Sequence, residues 1–308
     1  MLDISIVIPA FNEKESLSEL LLQIEETLLV QEFSYEIIIV DDGSTDGTMH
    51  VLRSMKEQLK NLRVISFRKN YGKSAALAMG FAKSVGKYII TMDADLQDDP
   101  NEIPGLIAKL EEGYDLVSGW KKDRKDPLSK KIPSKIFNFI TSRLAGIKIH
   151  DINCGLKAYR REVVNDLQIY GELHRFLPVL VHWNGYYVGE MAVKHRARKY
   201  GRTKFGFSRF FNGFFDLLTV LFITRYKSTP LHIFGIFGLI IFLFGLLVEL
   251  YLSVGWMLGE KIGARPLFFL GILAIIVGVQ FIFFGLLGEM ISSHMAERVK
   301  YSIKETIN

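Results

Sequence analysis

A single cysteine, Cys154, stands in 308 residues. No disulfide can form within the chain, and the composition suits a reducing compartment. No Gly-x-Gly-x-x-Gly follows the first strand-like run, which removes the dinucleotide-binding fingerprint. Gly72-Lys73-Ser74 ends like a phosphate-binding loop, but Phe67 occupies the position of that loop's first glycine. The trio therefore reads as a helix start, with Lys73 near a site. Met1 to Pro9 is a short β-branched run that reads as a strand, so no cleavable signal peptide is expected. The net charge of +5 invites a nucleic-acid partner. None is expected, because basic residues sit near the apolar end of the chain and no nucleic-acid module is identifiable.

Charge is also missing where it matters most. Ile233 to Val248 carries no charged or strongly polar side chain, and the apolar character continues to Val254 with Glu249 as its one charge. Leu267 to Leu287 has Gln280 as its one polar side chain. Each run is about the 20 residues needed to cross a ~30 Å hydrocarbon core. Soluble helices rarely go so long without a polar face, so two spans are expected, at about 231–254 and 267–288. Arg225 and Lys227 precede the first, and Arg298, Lys300 and Lys304 follow the second. That bias predicts both termini on the cytoplasmic side of the cell membrane. Glu249, near the outer end of its span, could snorkel or make a polar contact within a homo-oligomer. Gly235, Gly238, Gly245 and Gly278 offer close packing with neighbouring helices. Phe205 to Tyr226 is aromatic with basic ends and fits interfacial helices, a third span being the alternative. The expected organisation is a soluble domain over 1–203, interfacial helices over 204–228, the two spans within 229–290 and a tail over 291–308.

The soluble half alternates strand and helix. Ile4 to Pro9 reads as a buried strand, and Asn12 as the cap of a helix with Leu17, Leu20, Leu21, Ile24 and Leu28 on one face. Further strands are expected at Tyr35–Val40, Leu62–Phe67, Lys87–Met92 and Tyr114–Ser118, with helices starting near Thr45-Asp46 and Lys73-Ser74. This alternation predicts an α/β fold with a mostly parallel sheet and ligands at the carboxyl ends of its strands.

Acidic residues fall at those ends: Asp41-Asp42-Gly43-Ser44 after one strand, and Asp93-Ala94-Asp95-Leu96-Gln97 after another. In an extended segment Asp93, Asp95 and Gln97 share a face and could supply hard oxygen ligands to Mg²⁺ or Mn²⁺. Such an ion neutralises the pyrophosphate of a nucleotide sugar as it leaves. Asp41 is placed to read a base or ribose. A soluble nucleotide site joined to membrane spans points to transfer from a nucleotide carrier onto a lipid.

Together, Ile8-Pro9-Ala10-Phe11-Asn12-Glu13, Asp41-Asp42-Gly43-Ser44-Thr45-Asp46-Gly47-Thr48, Asn70-Tyr71-Gly72-Lys73 and Asp93-Ala94-Asp95-Leu96-Gln97-Asp98-Asp99-Pro100 closely resemble glycosyltransferase family 2. Asp151-Ile152-Asn153-Cys154-Gly155-Leu156-Lys157 and Tyr170 to Phe176 resemble its polyisoprenyl-phosphate branch, which includes dolichol-phosphate mannose synthases and bactoprenol glucosyltransferases. The resemblance covers about the first 230 residues. It implies a GT-A fold and an inverting transfer from a nucleotide sugar to a polyprenyl phosphate at the bilayer. Pro9, Ala10, Asn12 and Glu13 would line the nucleotide pocket, Asp41 would meet the base, and Asp93 the ribose or sugar. Asp95 and Gln97 would ligate the metal, and Arg198 or Arg202 would meet the donor pyrophosphate. Asp93, Asp95 and Asp151 are the implied catalytic set. Lys121, Arg124, Lys131, Ser134 and Lys135 would hold the acceptor phosphate, although the family often has Arg in place of Lys121, whose ammonium offers no bidentate fork.

An acceptor phosphate is largely ionised near neutrality and needs placement more than a strong base. Asp151 either orients the sugar or caps the following turn, and His174 is either functional or structural. UDP-glucose is the favoured donor on overall similarity, with GDP-mannose as the alternative. A processive polysaccharide synthase usually carries Gln-x-x-Arg-Trp, and no such string occurs. A non-catalytic sugar-nucleotide-binding membrane scaffold is the remaining reading.

Overall fold

The computed structural model describes residues 2–122, 128–196, 199–200, 230–259, 261–263 and 265–296. The chain divides into two units, Met1–Val220 and Leu221–Asn308.

β-Branched and aliphatic runs build the first unit's sheet. Strand β1 (Ile4–Ala10) lies between β2 (Tyr35–Asp41) and β4 (Tyr88–Thr91), parallel to both. β3 (Leu62–Ser66) extends the parallel half beyond β2. On the other side β6 (Lys157–Arg160) runs antiparallel to β4 and to β5 (Leu116–Trp120), and β7 (Val188–Ala192) joins β5 in parallel. The order β3-β2-β1-β4-β6-β5-β7 makes a mostly parallel GT-A sheet of the Rossmann kind. β1 pairs outward in both directions, and the crevice at such a switch point is where open α/β sheets take ligands.

Helices α1 (Leu17–Val30), α2 (Thr48–Gln58), α3 (Lys73–Lys83) and α4 (Ile103–Glu111) follow the first four strands. Then come α5 (Leu128–Ala145), α6 (Arg161–Asp166) and α7 (Leu177–Trp183). The α1 stripe of Leu17, Leu20, Leu21, Ile24 and Leu28 is wholly buried against Ile4, Ile6 and Ile8, each side chain worth roughly 1.5–3 kcal/mol.

The structure corrects several expected boundaries. β1 runs through Pro9 to Ala10. Asn12 does not cap α1, whose N-cap is Ser16. It has φ 57°, and its side-chain oxygen accepts the Thr45 N–H at 2.9 Å. A short polar side chain tolerates this conformation and ties the first loop to the second. α2 starts at Thr48, because Asp46 accepts the Thr48 N–H at 2.9 Å and holds the preceding turn. β5 starts at Leu116 and continues to Trp120.

The second unit contains α8 (Pro230–Met257) and α9 (Pro266–Ala296), both long and apolar enough to cross a membrane. They pack antiparallel through glycines. A methyl on Gly238 would stand 2.7 Å from the Gly278 carbonyl oxygen, and one on Gly245 2.7 Å from that of Gly271. Gly238, Gly245 and Gly278 thus lie within the hairpin, whereas Gly235 meets Leu231 of its own helix. Glu249 does not snorkel: its Oε1 is buried against Gly271.

Candidate active site

Backbone register sets the site. Ala10 pairs with Asp41 and Asp41 with Ser66, which aligns the carboxyl ends of three parallel strands. Pro9, Ala10, Asn12 and Glu13 occupy the β1 end and its loop. Glu13 carries the first turn toward α1, and its N–H bonds Thr48 Oγ1 at 3.0 Å.

The two adjacent aspartates divide their work. Asp41 accepts Ser66 Oγ at 2.8 Å on one oxygen and the Ser44 N–H at 3.3 Å on the other. Asp42 accepts the Tyr71 and Gly72 N–H groups at 2.7 and 2.9 Å. Asp42 thereby fixes the loop that starts α3, and with it Lys73.

Lys73 bonds directly to Asp93 at the end of β4. Burial works against the Asp93 charge, but Lys73, Lys121 and Lys157 outweigh it and hold the carboxyl well below the usual range. Asp93 is therefore a fixed anion. Lys157, fully buried on β6, bonds the Cys154 carbonyl, and burial pulls its pKa down. Burial pushes the Cys154 thiol up to about 12, which leaves it neutral. These groups border a cavity of about 10 Å³ with Pro9, Asn153 and His174, which has room for about one water. His174 is anchored by Ser74, whose Oγ lies 3.0 Å from Nδ1 and accepts the His174 N–H at 3.1 Å. Burial, then the charges of Lys73 and Arg175, lower its pKa to about 3.

Asp93, Asp95 and Gln97 do not alternate along a strand. β4 stops at Thr91, and the segment turns at Leu96, with φ 61°. Asp95 Oδ1 accepts the Gln97 N–H at 3.2 Å, so the two are held together by a local turn. The strand leaving β7 returns to this turn: His195 bridges to Asp98, and the Arg196 N–H bonds the Gln97 carbonyl at 2.9 Å. His195 Nε2 consequently lies 3.4 Å from the Gln97 side-chain amide. Nothing in the spacing of the sequence points to His195. Among the described residues no three His, Cys, Asp or Glu groups form a metal cage. A carboxylate and an amide oxygen suit Mg²⁺ or Mn²⁺ if phosphate oxygens complete the sphere, and an added imidazole favours Mn²⁺ over the harder Mg²⁺.

The cations expected to meet phosphate separate into groups. Lys121 is mostly buried, with Nζ 3.0 Å from Asp98 Oδ1. The two side chains form a largely buried salt bridge. Burial disfavours the Lys121 charge, but the neighbouring charges, Asp98 foremost, raise its pKa. Ser134 and Lys135 lie on α5, Ser134 half-buried and Lys135 exposed. Arg124, Arg198, Arg202 and the Lys131 side chain lie outside the described residues, as does the 205–226 segment. Arg196 is engaged by Asp99 at 2.9 Å and Gln23 at 2.8 Å. Asp151 is buried, and its carbonyl accepts Ser118 Oγ at 3.3 Å.

Residues 5–168 match the family model for glycosyl transferase family 2. The chain is 41% identical over 298 residues to dodecaprenyl-phosphate galacturonate synthase of Rhizobium johnstonii, covering 94% of this chain and 88% of that protein. It is 35% identical over 310 residues to undecaprenyl-phosphate 4-deoxy-4-formamido-L-arabinose transferase of Klebsiella pneumoniae, covering 99% and 93%. Its fold is shared with glucosyl-3-phosphoglycerate synthase from Mycobacterium tuberculosis in complex with Mn²⁺ and UDP-glucose, at a TM-score of 0.56 and 19% identity over 72% of this chain and 78% of that one. With a nucleotide-type crevice, a clustered acidic turn and these matches, the chain belongs to glycosyltransferase family 2.

Proposed function

We propose that this enzyme transfers a sugar from a nucleotide-sugar donor to a polyprenyl phosphate at the cytoplasmic face of a membrane that α8 and α9 span. The carrying observation is the end-to-end similarity, hairpin included, to a protein named for joining galacturonate to such a lipid. Relatives named for galacturonate and formamido-arabinose displace glucose as the first sugar to test. Lys73, Lys157 and Asp93 border the small cavity, Lys73 bonded to Asp93.

Asp95 and Gln97, with His195, would hold Mg²⁺ or Mn²⁺, which neutralises a departing diphosphate when bound. The chain's own groups place the reactants. Asp41 and the β1 loop take the nucleoside, and Asp93, immobilised by Lys73, orients ribose or sugar. Ser134 and Lys135, with Lys131 and Arg124, take the acceptor phosphate. An acceptor oxygen forms the new bond to the anomeric carbon as the bond to the nucleoside diphosphate breaks, with inversion. The ionised phosphate needs no general base, and Asp151 aligns the sugar.

Purified full-length protein with Mn²⁺ or Mg²⁺, a short polyprenyl phosphate and a panel of labelled UDP- and GDP-sugars tests this. Label should enter the organic phase from one donor, UDP-galacturonate being the first tried, and chelator should abolish it. Nucleotide binding without lipid label from any donor would overturn the reaction in favour of a non-catalytic scaffold.

A further inference from the structure

The sequence places Lys121 among the cations for an acceptor phosphate, but its surroundings are those of an internal counter-ion. It directly follows β5, on a backbone fixed from two sides. The Gly119 N–H bonds the Leu156 carbonyl at 2.9 Å, and the Trp120 carbonyl accepts the Val193 N–H at 3.0 Å. The packing here is close, since a methyl on Gly119 would stand 3.0 Å from Cys154 Sγ and from a Val193 methyl. From that base the Lys121 side chain, 11% exposed, reaches the wholly buried side chain of Asp98 at 3.0 Å.

Asp98 closes the turn that begins at Asp93. Between them lie Asp95 and Gln97, and also Leu96, a buried residue in the left-handed region with φ 61°. A bulky side chain keeps that conformation only where its surroundings impose it. On one flank the strand leaving β7 imposes it, through the His195–Asp98 bridge and the Arg196 N–H on the Gln97 carbonyl. The other flank is Lys121. Its ammonium meets Asp98 and is drawn by the Asp93 charge as well, so one cation acts on both ends of the turn. Among the described residues Lys121 is the one ion-pair partner of Asp98, and a carboxylate so buried requires one.

We propose that Lys121 is a positioning residue for the metal site: it holds Asp93 and Asp98 together, which fixes Asp95 and Gln97 in the arrangement that receives Mg²⁺ or Mn²⁺. This deepens the reading above and rests on its assignment of Asp95 and Gln97 to the metal. Gripping a lipid phosphate would draw the ammonium off Asp98 and leave that charge buried and alone, a costly exchange.

The test titrates full-length protein in detergent with Mn²⁺, without donor or acceptor, and follows the free ion by its room-temperature electron paramagnetic resonance signal. Lys121→Met should weaken Mn²⁺ binding about tenfold or more, the scale of losing an outer-shell support. Lys121→Arg keeps the charge and should lie nearer to wild type. Thermal melts without metal check that each variant is folded. Where Lys121→Met does not fold, Lys121→Met combined with Asp98→Asn removes both charges of the pair and should show the same weakening. Unchanged Mn²⁺ binding in a folded variant would overturn the proposal. Tighter binding would overturn it too, being what the loss of a neighbouring cation gives through Coulomb repulsion alone. With Mn²⁺ saturating, the KM for a short polyprenyl phosphate should stay close to wild type. A raised acceptor KM with wild-type Mn²⁺ binding would return Lys121 to the acceptor phosphate. Absence of transfer by the wild type would count against the enzymatic reading, with the Mn²⁺ titration still deciding the role of Lys121. Absence of Mn²⁺ binding by the wild type would overturn the proposal itself.

Discussion

Gly155 lies against Asp93 so closely that a methyl on its α-carbon would stand 2.6 Å from the Asp93 carboxylate. The glycine in Asn153-Cys154-Gly155 is thus a spatial requirement of the acid at the end of β4. Gly155→Ala should push Asp93 off Lys73 and reduce kcat/KM by about tenfold or more, since small misplacement of positioning groups is costly. Steady-state kinetics at saturating metal checks this. A wild-type value would show that the Asp93 position is not critical.

Asp95→Ala should cut transfer by about a hundredfold or more, on the scale of losing one electrostatic stabiliser. Circular dichroism should remain unchanged. His195→Ala should raise the Mn²⁺ concentration needed for half-activity. Metal titration of both variants checks the assignment, and curves matching wild type would remove these side chains from the metal site.

Glu36 supports the opposite end of the sheet. It accepts Ser5 Oγ and the Val85 N–H, each at 2.7 Å, and Arg63 at 2.8 Å. Burial raises its pKa, but the bonds from Ser5, Arg63 and Val85 together lower it below 4.5. A depressed acid contributes stability that is present above its unfolded value and lost as pH falls through the folded one. Glu36→Ala should cost about 2 kcal/mol through unsatisfied donors. Thermal melts in detergent should show a drop at neutral pH that shrinks below pH 4.5.

His174, with its pKa near 3, should stay neutral through the working pH range. The unfolded chain takes up that proton below 6.5 while the folded chain does not, so this residue costs stability as pH falls from there toward its folded value. His174→Gln should leave the position of any acidic limb in the kcat/KM profile unmoved. A limb that disappears in the variant would contradict the buried, neutral assignment.

Gly238→Val would force side-chain atoms into Gly278 and Ile282. It should destabilise the hairpin by about 1–3 kcal/mol, as overpacking does. Nucleotide affinity should be unaffected. A thermal-shift assay paired with nucleotide titration separates the two effects.

Local patterns made much of the molecule readable in advance. Runs such as Tyr35–Val40 and the α1 leucine stripe are periodic because one face of each is buried, so the strands and helices stand close to where periodicity puts them. The two apolar helices were equally plain, since their runs lack a polar face over some 20 residues. Asp41, Asp42, Asp93 and Asp95 were legible as strand-end acids. The turn at Leu96 was not, because alternation is a property of strands and β4 ends at Thr91.

What the sequence by itself determined is the inventory: a mostly parallel α/β sheet, acids at its carboxyl edge, basic residues on one helix and two long apolar helices. Only the tertiary structure decided which charges meet. Lys73 and Asp93 are 20 residues apart, Lys121 and Asp98 lie on different elements, and His195 reaches Gln97 across 98 residues. Such pairs arise from strand order and loop return, which bring distant groups into a medium where charges cannot stay unpaired. No local periodicity encodes that choice.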